Sequence, residues 1–130
     1  MWFIILCCIQ IYLDDSIIQC NNNYAKLLII IHHVFNIYLV FGSILFKHYW
    51  LHLVVVILSL AVHVFYGKCP ITEYSNYLSN QDKNVPMVTF LNHLLQIYNS
   101  KSIKKYYYTL IFLIILYDLY FIIKLKSLNE

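Results

Sequence analysis

Charge is what this chain has least of. Charged side chains make up 12% of its 130 residues, about half the ~25% of an ordinary soluble domain. A soluble protein of this size needs a polar shell, and a chain that is 62% hydrophobic has too little material for one. This excludes a water-soluble globular fold and makes lipid the fitting solvent. Arginine is missing altogether, so all nine basic residues are Lys. The net charge is only +3, and the Lys residues bracket apolar runs instead of lining one face. That pattern excludes nucleic acid as a partner. Glycine and proline number two each, so few turns are provided for. GxSxG, GxGxxG, HExxH and the phosphate-binding P-loop are all absent, which removes the common soluble enzyme classes. The expectation leans to a non-enzymatic protein, with an enzymatic role left open.

Cysteine is present but without a CxxC or zinc-type spacing. Cys7 and Cys8 sit inside an apolar run and read as packing. Cys20 and Cys69 each flank a predicted span, which makes a disulfide between them one expectation if that side is oxidising.

What the chain does have is long apolar runs. Residues 27–46 carry no charge between Lys26 and Lys47 and form a first predicted membrane span. A second follows almost at once, over 50–67. One unbroken helix from Leu27 to Gly67 would be about 60 Å long, twice a bilayer core of ~30 Å. The chain must turn, and Lys47-His48-Tyr49 is the polar cluster where it can. A third span is predicted over 106–123, with Lys on both flanks and Tyr106-Tyr107-Tyr108 at the place of an interfacial aromatic belt.

The shorter elements are less regular. Residues 2–13 are apolar but too short to cross, because roughly 20 residues are needed. Extending this run to Cys20 would bury Asp14 and Asp15, at roughly 2.5–3.5 kcal/mol each. The segment reads as an interfacial or half-buried helix, with a signal-peptide core as the second reading and a fourth hydrophobic helix as the architectural variant. Pro70 cannot continue the second span, and residues 71–84 read as a polar loop. Over 86–98, apolar residues recur at helical spacing and predict an amphipathic helix in the interface.

The predicted architecture is thus all-α, a helical integral membrane protein with three transmembrane helices in a single membrane domain. Which membrane is left open. Six Lys fall on the side of the long loop and three on the other, so the positive-inside rule places the six-Lys side in the cytoplasm.

Polar groups at membrane depth are costly and draw functional hypotheses. His32, Asn36 and Ser43 share one face of the first span; His52, Ser59 and His63 share one face of the second. Facing polar and small residues are how membrane helices pack. A sharper reading uses depth. His33 and His63 lie about equally far from the turn, and Cys69 and His93 are expected near the same surface. The imidazoles of His32, His33, His63 and His93 then become candidate ligands for a haem or a metal. Asp118 is the acid inside a span, about as deep as His52, and the two are expected to pair as a polar clamp or a proton relay.

One stretch has a familiar pattern. Trp50-Leu51-His52 opens the second span, Cys69-Pro70-Ile71-Thr72 closes it, Asn76 and Leu78 follow, and then Phe90, His93 and Leu95. This resembles the small bacterial multi-pass membrane proteins of domain-of-unknown-function family two-seven-eight-four, over roughly residues 25–123, with His32-His33 matching the family's His-containing first helix. Ser75 stands where the family has Glu and Leu94 where it has Tyr; the family's acid in the second helix is absent. The resemblance implies the same membrane architecture and no particular activity. Three functional classes follow: a structural or accessory subunit within a homo- or hetero-oligomer in the lipid bilayer, a membrane redox protein, and a small transporter or channel component.

Overall fold

The computed structural model describes residues 1–13, 20–67, 69–79 and 100–128. Among these the chain is all-helical, with helices α1 (Trp2–Tyr12), α2 (Asn23–Phe46), α3 (Tyr49–Tyr66), α4 (Pro70–Ser79) and α5 (Ser100–Leu128). Three of them, α2, α3 and the stretch Lys105–Leu128 of α5, are long and apolar enough to cross a membrane. At 1.5 Å per residue, the 18 residues of α3 span about 27 Å and the 29 of α5 about 43 Å.

α2 is the central helix, in contact with each of the other four. Its start is set by Asn22, whose side-chain oxygen accepts from the backbone N–H groups of Tyr24 (2.9 Å) and Ala25 (3.3 Å). These are two of the donors that a helix start leaves without a partner. It stops at Lys47, which takes the left-handed conformation (φ 57°) and donates its N–H to the Ser43 carbonyl. The turn between α2 and α3 is therefore Lys47-His48, with Tyr49 already the first residue of α3. α3 ends in the same way at Gly67, with φ 67°, a conformation that costs glycine least.

α3 and α5 pair antiparallel along one seam. Tyr49 stacks on Phe121 at 5.0 Å between ring centroids, His52 meets Asp118, and His63 meets Tyr107. Each step up α3 is matched by an equal step down α5. Between these rungs Val56, Ser59, Ile111 and Ile114 are buried. The seam positions advance by alternating threes and fours, the heptad spacing that keeps one face of each helix on its partner. Leu39 of α2 closes this layer, packed with Val56, Ile111 and Ile114.

Two elements differ from the sequence reading. Residues 71–79, expected as part of the 71–84 loop, belong with Pro70 to α4. Pro70 ends the helix before it but suits the first turn of the next one, where its missing N–H costs nothing. Glu73 sits in that first turn, favourable at the positive end of the helix dipole. α4 lies back along the first half of α2, with Thr72 and Ser75 buried. The N-terminal run does form a short helix, but it packs against α2, with Phe3 edge-on to Phe46 at 5.4 Å. Met1 therefore lies at the Lys47 end of α2, whereas Cys20 lies beside Asn22 at the other end. The predicted helix over 86–98 lies outside the described residues.

Candidate functional site

Three polar clusters lie between the helices among the described residues, the first two buried and the third half-buried. The first is built on His52. Its Nε2 is 3.0 Å from the Tyr38 carbonyl oxygen and its Nδ1 is 2.6 Å from Asp118 Oδ2. A carbonyl only accepts, so Nε2 carries a hydrogen and donates it. One more proton must lie between Nδ1 and Oδ2, because two facing lone pairs at that distance would repel. Whether imidazolium faces carboxylate or imidazole faces carboxylic acid, the pair has no net charge. Both residues are fully buried, and neutrality is what makes that tolerable. The second carboxyl oxygen, Asp118 Oδ1, is buried without a hydrogen-bond partner among the described residues.

Gly42 makes this approach possible. A Cβ there would lie 2.7 Å from His52 Cδ2 and 3.0 Å from the Tyr38 ring. Glycine inside a helix costs about 0.8–1 kcal/mol against Ala. Here the missing side chain is the space through which His52 reaches the backbone of α2.

The second cluster joins α2 to the start of α4. His32 Nε2 is 3.3 Å from Cys69 Sγ, and His32 Nδ1 is 3.2 Å from Thr72 Oγ1. Cys69, just before α4, and Thr72, in its first turn, are three residues apart, and the imidazole lies against both. The Ser75 hydroxyl donates to the Thr72 carbonyl at 2.9 Å. The far end of α4 is tied down as well, since Asn22 Nδ2 donates to the Leu78 carbonyl at 3.1 Å.

In the third cluster, His63 Nδ1 faces the Tyr107 hydroxyl at 3.3 Å and the Ser59 carbonyl at 3.2 Å. The two rings also lie against each other, 4.8 Å between centroids.

The predicted site residues are thus dispersed. His52 and Asp118 are brought together. His32 and His63 each engage different partners, His33 is fully buried on α2, and His93 lies outside the described residues. No group of three or more His, Cys, Asp or Glu is placed to hold a metal ion among the described residues. The expected Cys20–Cys69 disulfide is corrected: both are free thiols. Cys20 sits by Asn22, which bonds Leu78, and Cys69 lies nine residues before Leu78 in α4. At 1.5 Å per residue that is about 13 Å, against the roughly 4.4–6.8 Å between Cα atoms that a disulfide spans.

The contact of Cys69 with His32 and Thr72 had no place in a reading that made 71–84 a loop. Its signal was the run Cys69-Pro70-Ile71-Thr72-Glu73, a helix start with two polar side chains on one face.

Residues 22–123 match the family described as "Protein of Unknown function (DUF2784)". The chain belongs to this family. The DUF2784 region takes in α2, α3 and α4 and all three polar clusters, and it leaves out α1. The resemblance drawn from the Trp50-to-Leu95 pattern is thereby confirmed. Neither the curated proteins nor the solved structures give a match.

Proposed function

We propose that this DUF2784 protein is a multi-pass membrane protein acting as a structural or accessory subunit. The observation that supports this most is the division between inward and outward faces of the long helices. His52, Asp118, Ser59 and the His63–Tyr107 contact are used within the seam. The outward faces carry large exposed apolar side chains, among them Trp50, Leu58, Phe112 and Leu116. In water such surfaces would aggregate; against lipid tails or the helices of a partner they cost nothing. A buried polar interior used for packing leaves the outer surface as the part available for assembly.

The test is fractionation followed by mild detergent extraction and native electrophoresis. The protein is expected to stay in membranes through an alkaline carbonate wash and then to run well above its monomer mass. Release by carbonate would overturn the membrane reading, and a strict monomer would overturn the subunit reading.

A further inference from the structure

The His52 and His63 contacts tie one long helix to another. The Cys69–His32–Thr72 cluster is different, because it contains a nucleophile. A thiol is a much poorer acceptor than a hydroxyl, so the imidazole hydrogen belongs on Nδ1, donated to Thr72 Oγ1. Nε2 then presents its lone pair to the Cys69 thiol. This is the arrangement that readies a cysteine: a base within reach of the thiol, and a third group that fixes the tautomer of that base. The base comes from α2, the thiol from the residue just before α4 and Thr72 from α4 itself, so packing of the two helices assembles the site.

The surroundings indicate the substrate class. Cys69 comes three residues after the end of α3, where Phe65 and Tyr66 are exposed. On the membrane reading, which this inference rests on, that point lies near the boundary between lipid tails and water. An amphiphile with a long chain places its polar carbonyl head at the same boundary. Cys69 keeps 8% of its surface accessible, whereas Cys20 keeps 1%.

We propose that Cys69 is a self-acylating thiol that takes a fatty acyl group from a long-chain acyl thioester. His32 Nε2 removes the thiol proton as Sγ attacks the thioester carbonyl. The new Cys69 S–C bond forms, the C–S bond to the donor breaks, and the imidazolium returns the proton to the departing thiolate. The products are an acyl thioester on Cys69 and a free donor thiol, with no oxidant or reductant needed. Thr72 is a positioning residue that holds the imidazole in the working tautomer.

The full-length protein in phosphatidylcholine vesicles, incubated with palmitoyl-coenzyme A, provides the test. Acylated peptides are mapped by mass spectrometry before and after neutral hydroxylamine, which cleaves thioesters. The expected result is acylation at Cys69 that hydroxylamine removes and Cys69→Ser abolishes. His32→Gln should slow it at least ~100-fold, the low end for loss of a general base. Imidazole added to His32→Ala should restore part of the rate, which a purely structural role for His32 would not permit. Thermal unfolding of each variant separates loss of chemistry from loss of fold. The proposal is overturned if Cys69 stays unmodified in protein that is folded and vesicle-bound. It is equally overturned if the exposed Cys8 reacts as fast, or if His32→Gln leaves the rate unchanged. Failure of vesicle binding itself would sink the membrane reading instead.

Discussion

Gly42 shows how a single missing side chain can decide a helix contact. In most helix interiors Gly→Ala is stabilising, by about 0.8–1 kcal/mol from propensity alone. At Gly42 the added methyl would meet the His52 ring at 2.7 Å. His52 cannot retreat freely, because its two ring nitrogens are held by Tyr38 and Asp118 from opposite sides. Gly42→Ala is therefore expected to destabilise by about 1–3 kcal/mol, the usual range for overpacking. Thermal unfolding in detergent checks this, and an unchanged or raised midpoint would show that the His52 approach is slack. Gly42 and Ser43 stand side by side in the sequence as small residues of the kind that lets membrane helices approach. Which ring they admit is not legible there, because that depends on the offset between α2 and α3, set by the left-handed Lys47 in their two-residue turn.

At the level of helices, the long apolar runs were plain in the sequence. The span over 27–46 begins four residues later than α2, because Asn23 and Tyr24 look polar or interfacial while Asn22 is already capping the helix. α4 escaped detection for a related reason. Its residues are mostly polar or aromatic, and with so little aliphatic content over Pro70–Ser79 the segment reads as a loop. It is held by contacts outside itself: Thr72 to His32 at one end and Leu78 to Asn22 at the other. Asn22 thus serves two helices, capping one and anchoring the other. Asn22→Ala should cost about 1 kcal/mol through the cap alone. Its more telling effect is expected on α4, where backbone amide exchange should speed up while the α3–α5 seam stays protected. Hydrogen exchange with mass spectrometry resolves the two regions. Equal exchange in α4 of the variant and the parent would mean that the His32 end holds α4 unaided.

Over the whole molecule, the Lys distribution and the helix directions agree. Lys47, Lys124 and Lys126 share one end, where Tyr49 stacks on Phe121 and Lys124 approaches the Phe121 ring. Lys26 and Lys105 belong to the opposite end, with Asn22 and the close of α3. With three crossings and an apolar run of 2–13 too short to cross by itself, the N-terminus would be placed at that opposite end. The contact of Phe3 with Phe46 reverses this placement. A helix too short to cross alone can still run beside a longer neighbour and bring its start to the neighbour's far end.

That one aromatic contact has a practical corollary for tagging. Met1 lies near Phe46, and the last turns of α5 lie near Tyr49, one short turn away. Met1 and the Leu128 end of α5 thus lie at one end of the helices, as in a clasp whose ends meet. Two fragments of a split fluorescent protein, fused one to each terminus, should assemble on the same molecule and glow at low expression. If each fragment fluoresces only with a complementary half supplied on opposite sides of the membrane, the N-terminal helix does not lie where Phe3 and Phe46 place it.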